Sequence, residues 1–266
     1  MSYSNILYDS KEGVAFITLN RPKVLNAVSY PMMEEINKAM DVVEKDDSIR
    51  VLVFRGAGRA FSSGADYKEM DELVGNWQKD PHAYMKHIKK WEHTLLLRLR
   101  RFEKPTIAEI KGYAIGVAMG MALCCDMRVV SEEAKFGPRF VKLGLLAGDG
   151  DCYLLPALVG YGHAMEYLLT GEFITAQDAY RMGLANRVVP IDKLEQTTLE
   201  LAQKFMDAAP RAVASTKDAL NRVLMPALQA DLDNVVQLQS MLKQTEDHPE
   251  ALKAFLEKRK PKFKGR

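Results

Sequence analysis

Up to about residue 190 the chain alternates short apolar runs with longer amphipathic stretches. Ile6–Tyr8 and Val14–Asn20 have the length and β-branched content of strands, and Lys11–Gly13 between them forms a turn. Arg21-Pro22 ends the second run, because proline cannot donate to a ladder. The period then changes: Ser29, a capping residue, precedes Pro31 and opens a helix that runs to about Glu44. Val51–Gly56 is a strand closed by glycine, and the loop AGRAFSSGAD (57–66) follows it. Positions 67–91 and beyond are charged and helical, with breaks near Gly75 and Pro81. Strands are expected at 106–110 and 126–131, with a short last one in ANRVVP. AKFGPRF after Glu133 reads as a turn or a short edge piece. A helix is expected from Asp151 to Val159, and Thr175 caps another that ends at Met182.

One stretch breaks the alternation. Lys111–Asp126, KGYAIGVAMGMALCCD, carries almost no charge after Lys111, and from about Gly116 it is apolar on every side, which predicts a wholly buried helix. Gly116, Ala118, Gly120 and Ala122 leave its backbone bare, so another backbone or a ligand can approach. The first turn of a helix has N–H groups without acceptors and a positive dipole end, suited to a developing oxyanion. Taken by itself the stretch reads rather as a tightly packed core helix with small residues at its contacts.

Strands alternating with helices give an α/β class. From Ile191 onward no strand is evident; three or four helices follow, punctuated at Pro210, Pro226 and Pro249. The expected division is a core over 1–200 and a helical part over 201–266.

Composition then limits the function. The 266 residues fit one large domain with an appendage, and a net charge of +2 points away from nucleic acid or a membrane surface as the main partner. Charged residues interrupt every apolar run before it reaches membrane-spanning length. Three cysteines, two of them adjacent, provide neither a disulfide framework nor metal-ligand spacing, so a reducing, cytoplasmic setting is the default.

Several stretches together resemble the crotonase (enoyl-CoA hydratase/isomerase) superfamily: NRPKVLNAV (20–28), RAFSSGADYKEM (59–70), the buried-helix run, AKFG (134–137), the long segment 158–190, and AFLEKRKPKF (254–263). They cover nearly the whole chain in order. The resemblance implies a crotonase-type spiral of ββα units with a helical C-terminal part used in trimerisation, and a homotrimer or hexamer. It implies an acyl-CoA substrate, with coenzyme A entering as part of that substrate and no separate cofactor or metal. Enolate formation puts negative charge on the thioester oxygen, and two backbone N–H groups stabilise it; they map to Ala65 and Val117. Val117 stands where the family usually has glycine, which keeps the N–H and adds bulk beside it. The CoA moiety is expected along Ser63, Ala65 and Asp66, flanked by Lys23 and Leu25, with Phe255 and Lys258 reaching the adenine and phosphates, often from a neighbouring subunit. Phe140 and Leu145 suggest an apolar acyl pocket.

The chain departs from the family at the carboxylates. The two hydratase glutamates fall on Gly120 and Phe140, so standard two-glutamate hydration is not supported. Related enzymes with one working carboxylate carry an aspartate in the loop that is here GLLAGDGD, at the position of Gly148. Its neighbour Asp149 is the candidate base and Asp151 the candidate cap of the following helix. Glu109, Tyr113, Tyr153 and Asp126 read as structural, Glu69 and Glu72 as solvated, and the histidines show no ligand spacing. The expected activity is enoyl-CoA isomerisation. Hydration by a non-standard carboxylate and a non-catalytic acyl-CoA-binding protein are the alternatives.

Overall fold

The structure, a computed structural model, describes residues 3–66, 68 and 80–266. Among these residues the larger sheet has six strands. Strands β1 (Ile6–Lys11), β2 (Val14–Leu19), β3 (Val51–Gly56) and β4 (Thr106–Ile110) lie side by side, followed by β6 (Met127–Ser131) and β9 (Arg187–Val189). β1 and β2 form an antiparallel hairpin with Ile6 opposite Leu19, and every later neighbour is parallel. Parallel neighbours need crossovers, and helices supply them. Helix α1 (Tyr30–Lys45) joins β2 to β3, and Ser29 caps it by accepting from the Met32 N–H. Helices α2 (Pro81–Ile88) and α3 (Thr94–Arg101) precede β4, and α4 (Val117–Cys124) joins β4 to β6.

Alternation along the strands sorts side chains to two buried faces. Val14, Phe16, Val51, Val53, Ile107 and Val129 pack on one side under α8 (Leu194–Met206), through Leu194 and Ala202. Ala15, Ile17, Leu52, Phe54, Ala108 and Val130 face the main core with α1, α3 and α4. Covering on both faces is why VAFITL and VLVFRG show almost no polar alternation.

A smaller sheet holds β5 (Tyr113–Ile115), β7 (Lys135–Gly137) and β8 (Ile174–Thr175). β7 is its middle strand, so the AKFGPRF stretch is more than an edge piece. Gly112, at φ +58°, makes the turn into β5; a Cβ there would lie 2.2 Å from the Arg59 carbonyl oxygen. Beyond β7 come α5 (Asp151–Val159), α6 (Tyr161–Thr170) and α7 (Ala176–Arg181), the last capped by Thr175 as expected.

Residue 200 lies inside α8, the helix that covers one face of the larger sheet. Helix α9 (Pro210–Leu242) then runs 33 residues and packs against α2, α3 and α5, and α10 (Asp247–Leu256) completes the described elements. Pro226 does not divide α9. It lies on an exposed face, where water can satisfy the carbonyl that the missing N–H leaves without a donor. No described helix is long and apolar enough to cross a membrane.

Candidate active site

The loop after β3 and the start of α4 form one wall of a cavity. Asn26 holds the loop: its Nδ2 donates to the carbonyls of Ala57 (2.8 Å), Ala60 (2.9 Å) and Phe61 (3.2 Å), and its Oδ1 accepts from the Arg21 N–H (2.9 Å). A bridge between Val28 and Ala65 follows, in which Val28 donates to the Gly64 carbonyl and Asp66 donates to Val28. Strand geometry turns the Ala65 N–H to the opposite side of that bridge. Gly64, at φ +94°, lies against the Ile115 carbonyl; a Cβ there would be 2.8 Å from that oxygen. The contact brings the loop onto the start of α4. Gly116 precedes the helix at φ +53°, and Val117 is the first helical residue, where an N–H has no intrahelical acceptor. Gly64, Ala65, Gly116 and Val117 all line the cavity.

The glycine loop supplies another wall. Asp149 lines the cavity, is 3 % exposed, and shares a hydrogen bond with the carboxyl of Glu92. Burial, and then the adjoining Glu92, hold the Asp149 carboxyl well above the usual carboxylate range. Burial also pushes Glu92 up to about 7, while the hydrogen bond from Asp149 and the charge of Lys243 pull it back. Two carboxyls in contact share one proton, so the pair holds an acid and a base together.

Local packing fixes the pair. Glu92 sits in a π-turn (Lys89–His93) between α2 and α3, where the Thr94 N–H bonds back to the Lys89 carbonyl. The buried ring of His93 bonds through Nε2 to the Gly148 carbonyl at 3.2 Å, so the residue after Glu92 is tied to the residue before Asp149. Burial holds His93 down to about 4, so the ring is neutral and Nε2–H is the donor.

Gly120 and Gly148 both lie close against neighbouring groups. A Cβ on Gly148 would meet the amide end of the Gln239 side chain, which would have to swing aside to admit it. A Cβ on Gly120 would lie 2.5 Å from the Asp149 carbonyl oxygen and 2.7 Å from its Cβ. The loop that carries Asp149 occupies the space over Gly120. Asp151 is not the helix cap. Gly150 occupies the cap position and no side chain caps the helix; the Asp151 carboxyl is buried, and burial, then the adjoining Asp149, hold it well above the usual range.

The C-terminal helices close the cavity. Gln239 of α9 accepts from the Tyr84 hydroxyl (2.5 Å) and donates to the Leu146 carbonyl (2.8 Å), and Lys243, 3 % exposed, lies over the Tyr84 ring at 4.9 Å. Tyr30, Ile88, Arg139, Phe140, Leu143 and Leu145 complete the lining.

The sequence pattern of the enoyl-CoA hydratase/isomerase family matches residues 9–266. The chain belongs to this family. The 2,3-dehydroadipyl-CoA hydratase of Escherichia coli K12 is 38% identical over 99% of this chain and 100% of its own length. The trans-2-decenoyl-[acyl-carrier-protein] isomerase of Streptococcus mutans is 31% identical over the full length of both chains. Among solved structures, an enoyl-CoA hydratase from Mycobacterium avium subsp. paratuberculosis K-10 superimposes with a TM-score of 0.84 at 30% identity, covering 99% of this chain and 100% of that one. The fold is therefore the crotonase type expected from the motifs, and the chain is an acyl-CoA hydratase/isomerase family enzyme.

The structure brings most of the family-derived residues together. Ser63 donates its N–H to the Leu25 carbonyl (2.9 Å) and its hydroxyl to the Val24 carbonyl (3.3 Å), so the turn carrying Lys23 and Leu25 is joined to the loop of Ser63 and Ala65, which line the cavity. Asp66 is engaged by Arg21 at 2.7 Å. Phe140 lies over Gly116, and both Phe140 and Leu145 line the cavity. Phe255 is 57 % exposed on α10 and Lys258 follows that helix; neither lines the cavity of this chain. Asp126 accepts from Thr106 and Lys217, and Glu109 is buried near Arg55 and Thr198. Glu69 and Glu72 lie outside the described residues. No cluster of metal ligands occurs among the described residues.

Glu92 and Lys243 escaped the sequence reading because each lies in a charged helical stretch that reads as a solvated face. The π-turn adds a residue to the helical repeat and turns Glu92 inward. Its only trace in the sequence is that offset in phase between HAYMKHI and the apolar run LLLRL.

Proposed function

We propose that the chain moves a proton on the acyl part of an enoyl-CoA thioester and so shifts its double bond. The N–H groups of Ala65 and Val117 would receive the thioester oxygen, and Asp149 and Glu92 would be the acid–base pair. The hydrogen-bonded carboxyl pair on the wall of the same cavity as those N–H groups carries this reading. One carboxylate takes the proton from the carbon beside the thioester carbonyl, and the electron pair moves to the carbonyl oxygen. The double bond re-forms next to the carbonyl as a proton is returned to the γ carbon. Each N–H donor stabilises the enolate oxygen, and losing one such donor typically costs about 3–4 kcal/mol. Lys23, Leu25, Ser63 and Asp66 would flank the CoA moiety, Phe255 and Lys258 would reach it from a neighbouring subunit, and Phe140 and Leu145 would bound the acyl group.

Hydration is the second reading, favoured by the presence of a second carboxyl, Glu92, and by the hydratase name of the Escherichia coli relative. There one carboxylate deprotonates a water whose oxygen bonds to the β carbon, and the neighbouring acid protonates the α carbon. Incubation with saturated and unsaturated acyl-CoAs in heavy water, read by mass spectrometry, separates the two. Deuterium uptake with a moved double bond supports isomerisation, and a gain of the mass of water supports hydration. Asp149→Asn should abolish turnover and leave CoA-ester binding intact. Unchanged turnover in that variant would remove Asp149 from the chemistry.

A further inference from the structure

A buried ammonium lies beside the carboxyl pair, and its position is set by a chain of contacts that begins in the loop before Asp149. Gly144 has φ +66° and packs against the backbone of His248 at the start of α10; a Cβ there would lie 3.1 Å from the His248 Cα. This contact seats the His248 ring, whose Nδ1 is 2.7 Å from the Leu143 carbonyl oxygen. A carbonyl only accepts, so Nδ1 carries the hydrogen. In the neutral ring Nε2 is then an acceptor, and burial holds His248 neutral, down at about 4. The Lys243 Nζ is 3.3 Å from Nε2 and donates to it. With the Tyr84 ring on another side, the ammonium is held in the cavity lining with Glu92 and Asp149.

We propose that Lys243, fixed by His248, is a positioning residue for the proton-transfer pair: its charge keeps Glu92 and Asp149 carrying one negative charge between them. This rests on reading that pair as the acid–base machinery. Two protonated carboxyls hold no base and two carboxylates hold no acid, so only the singly ionised pair works. Burial alone favours the doubly protonated form. A cation on the same lining opposes that tendency, and its charge acts on Glu92. The groups that face the ammonium come from several elements: Tyr84 from α2, Glu92 from the π-turn and His248 from α10, with Asp149 of the glycine loop and Arg139 on the same lining. His248 and Tyr84 are neutral near pH 7, so the charge that the ammonium meets is that of the carboxyl pair.

The test is the pH profile of kcat/KM, read as deuterium uptake from heavy water into four-carbon enoyl-CoAs, for the wild type, Lys243→Met, Lys243→Arg and His248→Gln. In Lys243→Met the acidic limb should move up by about one pH unit or more, since the carboxylate loses its cation. Activity at pH 6 should then fall about tenfold or more and recover toward pH 9. Lys243→Arg should keep the limb close to the wild type, and His248→Gln should shift it upward by less than Lys243→Met. An unmoved limb in Lys243→Met, or an equal loss at every pH, overturns the proposal. If Lys243→Met does not fold, an unmoved limb in His248→Gln does the same. Full activity in Asp149→Asn would instead overturn the reading of the pair, whatever Lys243 does.

Discussion

Replacing Gly120 by alanine should reverse the usual effect of that change. In a helix interior, glycine to alanine ordinarily stabilises by about 1 kcal/mol. Here the new Cβ would lie 2.5 Å from the Asp149 carbonyl oxygen and 2.7 Å from the Asp149 Cβ. Both are main-chain or main-chain-attached atoms, so no rotamer change relieves the contact. The loop must retreat by about 1 Å to regain ordinary van der Waals distance. Overpacking of this kind typically costs about 1–3 kcal/mol. Set against the propensity gain, the net result is a loss of about 0–2 kcal/mol in place of the usual gain. The same retreat moves Asp149 relative to Glu92, and a misplacement of about 1 Å can cost about a hundredfold in rate. Urea denaturation gives the first quantity and kcat/KM for an enoyl-CoA the second. A Gly120→Ala variant as stable and as active as the wild type would refute the claim that Asp149 occupies the space over Gly120.

Asn26→Ala should destabilise by about 3 kcal/mol in the same denaturation assay, because it strips donors from three carbonyls and an acceptor from Arg21. It should also lower kcat, since that network holds the loop bearing Ala65. Asp151 makes stability depend on pH with a definite sign: its folded carboxyl is raised well above the usual value. The unfolded chain therefore releases this proton first, and the stabilisation is full at acid pH and lost as pH climbs from about 4 through the folded value. Asp151→Asn should flatten the fall in Tm between pH 5 and pH 8. A thiol reagent at neutral pH should leave the native protein unmodified at Cys125 and Cys152, whose thiols burial pushes up to about 12, and mass spectrometry of the treated protein reads this directly.

Much of the local structure was written in the sequence. Ser29 and Thr175 cap the helices they were expected to cap, because an N-cap bond depends on residues three positions apart. The strands at 14–19, 51–56 and 106–110 followed from apolar runs, and the oxyanion candidates followed from family motifs around small residues. What the sequence alone could not decide was which polar groups end up buried beside one another. Asp149 was visible as a carboxylate in a glycine loop, whereas Glu92 lies 57 positions earlier in a charged helix and turns inward only through a π-turn. Lys243 comes from the end of a long helix that reads as amphipathic and solvated, and His248 joins it only once Gly144 admits α10. Gly120 read in the sequence as a place without a carboxylate; packing makes it the space that the Asp149 loop fills. Caps, turns and apolar periods act between near neighbours and can be read along the chain. Desolvation and charge depend on contacts made across distant segments, and those exist only after the elements have packed.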